Sequence, residues 1–190
     1  NLSDAALTAF IAERQADQQR YAGDNRAAVI ALAHGRGIKL ASHDDATAAH
    51  IVEASAAGVV IAEFPTTHEA AAAARMAGLS VLCGAPNVVR GASHSGNASA
   101  LDFARAGLLD ILSSDYVPVS LLHAAFTLNA EAGIRLPDAV ATVSANPAAA
   151  MGLADRGRIE AGLRADLVRV AVIDALPFVR TTWRLGQRIA

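Results

Sequence analysis

The stretch IKLASHDDATAAHIVEASAAGVVIAEFPTTHEAAAAARMAG, residues Ile38 to Gly78, decides the fold. It holds two copies of one arrangement, a short apolar run ending in polar residues and then an alanine-rich stretch closed by glycine. IKLASHDD leads into TAAHIVEASAAG, which ends at Gly58, and VVIAEFPTT leads into HEAAAAARMAG, which ends at Gly78. Two further copies follow. LSVLCGAPN is separated by a long loop from ASALDFARAG, ending at Gly107, and LLDILSSD precedes VSLLHAAFTLNAEAG, ending at Gly133. Repeated strand-then-helix units predict a parallel sheet, because parallel strands need a crossover and the crossover is usually helical. Ile38 to Gly133 is therefore read as α/β. Each unit puts its polar residues just past the strand, where α/β sheets and barrels gather their reactive groups.

On the N-terminal side, Ser3 precedes the apolar stripe Leu7, Phe10 and Ile11, which predicts a capped amphipathic helix running to about Gln18. Asp24 or Asn25 caps a second predicted helix, AAVIALAHGRG, ending at Gly35 or Gly37. On the C-terminal side, DAVATVSANPAAAMGL reads as two short helices with Asn146-Pro147 as the break and restart. RGRIEAGLRADLVRVAVID and FVRTTWRLGQRI then alternate apolar and polar residues around glycine turns, predicting two or three antiparallel strands, with Trp183 in their packing. The expected organisation is an α/β domain over 1–153, led by helices within 3–35, and part of a small β domain over 154–190.

Composition bounds the function. The chain has 190 residues, short of the about 250 that a full eight-fold β/α barrel usually takes. With 53% hydrophobic and 18% charged residues it can bury a core and is not disordered. Sixteen Lys and Arg against eighteen Asp and Glu, without a basic block, argue against nucleic-acid binding. No uncharged apolar run reaches the about 18 residues of a membrane span. The single cysteine, Cys83, excludes an intrachain disulfide framework and fits a reducing, cytoplasmic compartment. The start Asn1-Leu2-Ser3-Asp4 is neither a signal peptide nor an initiator methionine, which suggests a piece of a longer chain.

Two constellations could carry chemistry. His43 and Asp115 each follow an apolar strand, three units apart, and an imidazole and a carboxylate on one rim suit zinc or a similar divalent ion. The alternative is structural, with His43 bonded to a backbone carbonyl and Asp115 capping the next helix. The loop APNVVRGASHSGN, Ala85 to Asn97, holds Arg90, His94, Asn87 and Asn97 before a helix N-terminus, a natural place for an anion, or else a solvated connection. His34, His50, His68 and His123 fall at a helix end or within helical patterns, where surface or packing roles are expected. Cys83, inside VLCG, is expected to be an inert buried thiol.

The runs ASHDDAT (41–47), IAEFPTT (61–67), GAPNVVRGASHSGN (84–97) and LLDILSSDY (108–116) closely resemble the PhnM family of the amidohydrolase superfamily. The tail NPAAAMGLADRGRIEAGLRADLV (146–168) resembles that superfamily's return from its barrel into a small β domain. The resemblance covers nearly the whole chain. It implies the C-terminal half of a (β/α)8 TIM barrel followed by a few strands of a β-sandwich, with IKLASHDD as the fifth barrel strand and LLDILSSD as the eighth. It also implies a phosphonate-catabolism enzyme that hydrolyses α-D-ribose 1-methylphosphonate 5-triphosphate to the 5-phosphate and pyrophosphate. On that resemblance His43 is a metal ligand, and Asp115 is a metal ligand that also accepts a proton from the attacking water. The metal is zinc, or else manganese or iron. Arg90 and His94 stabilise phosphate charge, with Asn87, Asn97, Asp44 and Asp45 as further contacts. No first-strand metal motif precedes Ile38, so about half of the metal site is expected here, and the chain is expected to pair with a missing N-terminal half or to self-associate. The alternatives are an amidohydrolase acting on a carbon–nitrogen bond and an inactive fragment.

Overall fold

The computed structural model describes residues 3–91 and 96–190. It divides into two compact units, residues 1–40 and 41–190.

The first unit is one helix, α1 (Asp4–Gly35), whose N-terminus is capped by Ser3, the hydroxyl oxygen accepting from the Ala6 N–H at 3.3 Å. Two helices were expected here. Glu13, Arg14, Gln15, Ala16, Gln18, Gln19 and Arg20 are all strong helix formers, no proline interrupts them, and the lone Gly23 is an insufficient break at about 1 kcal/mol relative to alanine. The polar stretch that reads as a boundary is the middle of a single helix. His34 lies in its last turn, where the helix dipole favours a cation.

The second unit starts with four strands alternating with helices. They are β1 (Leu40–His43), α2 (Ala48–Ala56), β2 (Val59–Glu63), α3 (His68–Met76), β3 (Ser80–Gly84), α4 (Ala85–Arg90), α5 (Ala100–Arg105) and β4 (Ile111–Ser113). The sheet order is β1-β2-β3-β4, and β2–β3 and β3–β4 pair in parallel, with Ala62 opposite Val81 and Cys83 opposite Leu112. Helices α6 (Ser120–Glu131), α7 (Leu136–Ala141) and α8 (Ala145–Ala150) follow. The core is built largely from alanine. Ala70, Ala71 and Ala74 of α3, Ala62 of β2 and Ala124 of α6 have no exposed surface, and Phe103, Leu128 and Ile51 supply the bulk. His68 is exposed and meets the Phe103 ring edge to face at 4.9 Å, within the surface or packing role expected of it.

Side-chain caps bind the strand-to-helix turns into one rim. Thr47 caps α2 and Thr67 caps α3, each accepting an N–H three residues on. The Thr67 hydroxyl also donates to the Ala46 carbonyl (2.9 Å), the Thr66 N–H to the Asp45 carbonyl (2.8 Å), and the Ala98 N–H to the Thr66 carbonyl (3.2 Å). Neighbouring turns are thereby fixed to one another by backbone, at the carboxyl ends of the strands.

At the C-terminus β5 (Leu167–Ile173), β6 (Leu176–Arg184) and β7 (Gln187–Arg188) form a separate antiparallel sheet with a bulge at Arg169/Val170 and Trp183 half-buried within it. Arg156 to Asp166 is not a strand, since Gly157 and Gly162 both take left-handed turns. Asn146-Pro147 does not break the helices either. Both sit in the first turn of α8, where proline's missing N–H is tolerated, and the break lies at 142–144. Among the described residues no helix is long and apolar enough to cross a membrane.

Candidate functional site

The rim carries a cleft of about 370 Å³. His43 ends β1 and Gly84 ends β3, while Asp44, Phe64 and Asp115 follow β1, β2 and β4. All three of those following residues have left-handed backbones, with φ of 59°, 52° and 49°. Aspartate tolerates that conformation, whereas an aromatic such as Phe64 adopts it at a cost of about 1–2 kcal/mol. Of the three, Phe64 is the one held against its local preference beside the cleft.

His43, Asp115, Arg90, Asn87 and Asn97 all line this cleft, so five candidates drawn from three separate strand ends meet in one space. His94 lies outside the described residues. Asp44 also lines it, and its Oδ2 stands 3.2 Å from Nδ1 of His43. Asp45 does not. It is 6% exposed, takes the Ser42 hydroxyl on its carboxylate and the Thr66 N–H on its carbonyl, and so holds the β1–α2 turn in place.

The long loop expected from Ala85 to Asn97 is partly helical. Pro86 sits in the first turn of α4, Val88 is buried, and Arg90 lies in the last turn before Gly91, whose φ of 76° closes the helix. Arg90 is thus mounted on a helix rather than on a free loop, and its Nη1 donates to the Tyr116 hydroxyl at 3.4 Å. The N-terminus of α5, expected to face an anion, is already partly satisfied. Asn87 Oδ1 accepts the Ala100 N–H at 3.0 Å and the Ser99 hydroxyl accepts the Asp102 N–H, while Arg90 is the guanidinium lining the cleft.

Gly84, Phe64 and Tyr116 are cleft residues that the sequence reading did not single out. A Cβ at position 84 would stand 3.1 Å from Oδ2 of Asp115 and 3.6 Å from Cε1 of Phe64, so the missing side chain is the seat of the Asp115 carboxylate. The available signal was a glycine ending the apolar run SVLCG, which in a strand marks a close approach. Cys83 borders the cleft but is 5% exposed, and burial pushes its thiol up to about 12, so it stays a neutral, inert thiol.

The donor set suits a divalent metal in kind. An imidazole whose Nδ1 faces a carboxylate has its ring oriented for ligation through the other nitrogen, and a carboxylate supplies the second donor. In number it is incomplete, since no group of three or more His, Cys, Asp or Glu side chains that could hold a metal occurs among the described residues.

The sequence profile described as "Amidohydrolase family" matches residues 2–189. A curated relative, alpha-D-ribose 1-methylphosphonate 5-triphosphate diphosphatase of Escherichia coli (strain K12), is 51% identical over 191 residues, covering 100% of this chain and 50% of the relative. The chain thus spans about half the length of the curated relative it matches. Among solved structures, an enamidase described as a member of the amidohydrolase superfamily superposes with a TM-score of 0.65 at 16% identity, covering 84% of this chain and 49% of that one. N-acetylglucosamine-6-phosphate deacetylase from Pasteurella multocida gives 0.59 at 15%, covering 82% and 52%. These structural likenesses concern the fold, and identify the four parallel βα units as half of a (β/α)8 barrel.

Proposed function

The chain belongs to the amidohydrolase family, and on that premise we propose that its cleft is half of the active site of a metal-dependent phosphonate-catabolism hydrolase. The substrate we assign is α-D-ribose 1-methylphosphonate 5-triphosphate, split to the 5-phosphate and pyrophosphate. The observation that carries this reading is the meeting of His43, Asp115 and Arg90 in one cleft of about 370 Å³ at the carboxyl ends of the strands. The relative at 51% identity carries that activity in its name, and an arginine at the cleft suits a polyphosphate better than a neutral amide.

Members of the family are generally metal-dependent. In this reading His43 and Asp115 hold a divalent ion, zinc, manganese or iron, together with donors from a complementary half-barrel in the same or a partner chain. When bound, such an ion supplies Lewis acidity at a phosphoryl oxygen and lowers the pKa of water. The protein's own groups do the rest. Asp115 takes the proton of the attacking water as its oxygen adds to phosphorus, and the bridging P–O bond breaks to release pyrophosphate. Arg90, steadied by Tyr116, neutralises charge on the non-bridging oxygens, where phosphoryl transfer most needs help. Asp44 stands at Nδ1 of His43 and leaves the other ring nitrogen for the ion. Asn87 and Asn97 are assigned to border the substrate, and His94 to contact phosphate. Residues 1–153 form the partial barrel domain and 154–190 the β-domain portion, and the protein acts in the cytoplasm.

The test is elemental mass spectrometry of the chain after gel filtration together with the complementary half-barrel, with His43→Ala and Asp115→Ala as controls, and pyrophosphate release from the triphosphate sugar by that assembly. Tightly held metal lost in both variants, and release abolished by Arg90→Ala, is the expected result. Metal retained in both variants removes the donor assignment, and release indifferent to Arg90→Ala removes the polyphosphate substrate.

A further inference from the structure

The side chain that links the two candidate donors is neither of them. Phe64 follows β2, the strand between β1, which ends in His43, and β3, which ends in Gly84. Its backbone is anchored by its N–H to the Leu82 carbonyl at 2.8 Å, and it takes a φ of 52°, a conformation that favours glycine, asparagine or aspartate. A bulky aromatic is among the least favoured occupants of that backbone, so what its ring contacts must offset the strain. On one side the ring meets the His43 imidazole edge to face, with centroids 5.2 Å apart and planes at 87°. On the other, its Cε1 reaches within 3.6 Å of the space a side chain at 84 would fill, the same space that Asp115 Oδ2 borders at 3.1 Å. His43, Phe64, Gly84 and Asp115 are thus in sequence along one wall, each from a different strand end.

We propose that Phe64 is a positioning residue: its ring fixes the His43 imidazole and, with the bare backbone of Gly84, bounds the seat of the Asp115 carboxylate, so that one side chain sets how the two donors face each other. An aliphatic side chain of similar volume would fill the space but give the imidazole no aromatic ring to meet edge to face. This rests on the reading of His43 and Asp115 as metal donors.

The experiment uses the whole chain with three variants, Phe64→Tyr, Phe64→Leu and Phe64→Gly. The first readout is the nuclear Overhauser effects from the His43 ring protons to the Asp44 Hβ protons in metal-free protein, which report the orientation of the ring whatever side chain stands at 64. The second is affinity for cobalt(II) alone. The expected result is the pattern of one ring orientation in the parent protein, kept by Phe64→Tyr and averaged in both Phe64→Leu and Phe64→Gly. Cobalt(II) binding is expected to weaken about ten-fold in those two variants and to recover in Phe64→Tyr. Phe64→Gly guards against a folding failure, since glycine adopts this backbone freely. A His43 ring orientation and cobalt(II) affinity unchanged in folded Phe64→Leu would overturn the proposal. If the parent chain binds no cobalt(II), the donor reading fails separately, and the orientation of the His43 ring in the variants still decides whether Phe64 holds it.

Discussion

Gly84 shows at the residue scale how the absence of a side chain can shape a site. Alanine there would put its Cβ 3.1 Å from Asp115 Oδ2, tighter than ordinary contact, so the carboxylate must move by a few tenths of an ångström. The backbone at 84 is an ordinary extended one, so the substitution brings no conformational strain of its own. Gly84→Ala is therefore expected to leave the melting temperature nearly unchanged while weakening cobalt(II) binding by about ten-fold, read by titration of the full chain. Parent-like affinity would mean that Asp115 is free to relax and that its seat is not fixed. The same residue marks a limit of sequence reading. His43, Asp115, Arg90, Asn87 and Asn97 were legible because polar groups just after apolar runs announce the rim of an α/β sheet. Phe64 and Gly84 were not, because what they do depends on strand ends that lie about twenty residues apart in sequence and meet only in the folded sheet.

At the scale of elements, periodicity located the four strands and the helices after them but misplaced boundaries wherever composition and context disagreed. In α1 the polar residues from Glu13 to Arg20 look like a gap in an amphipathic pattern, yet their intrinsic propensity carries the helix straight through. In α4 the reverse holds. APNVVR is too short and too proline-marked to read as helix, and it forms because Pro86 starts it, buried Val88 anchors it and Gly91 ends it. Gly23 is the weak point of α1, with nothing within 4 Å of a Cβ placed there. Gly23→Ala is expected to stabilise the middle of the helix by about 0.5–1 kcal/mol. Amide hydrogen exchange across residues 18–28 would slow by up to about five-fold if opening there is local. Unchanged exchange would show that this stretch opens only together with a larger unit.

At the scale of the whole chain, the governing feature among the described residues is a four-stranded parallel sheet that does not close on itself. The order β1-β2-β3-β4 leaves β1 and β4 as edges, and an edge strand presents unpaired N–H and C=O groups to any passing chain. At β4 the edge is partly closed, because the Leu112 N–H donates to the Thr142 carbonyl at 2.9 Å. The small antiparallel sheet adds a second sticky surface. Val168, Val172, Leu176, Phe178 and Val179 of β5 and β6 are each roughly half exposed, an apolar display that soluble chains usually cover. Both features predict association driven mainly by apolar burial and strand pairing rather than by charge, since the net charge is only -2. Sedimentation velocity over a concentration series is therefore expected to show reversible self-association that persists when salt is raised, because screening weakens ion pairs and not apolar contacts. Replacing Val172 and Phe178 with lysine is expected to shift the population toward monomer while leaving β2–β3–β4 pairing intact. A monomer at every concentration would mean that these edges are blunted more fully than the single Thr142 contact suggests. Association abolished by salt alone would place the interface on charged surface, α1 with its interleaved acidic and basic residues being the first place to look.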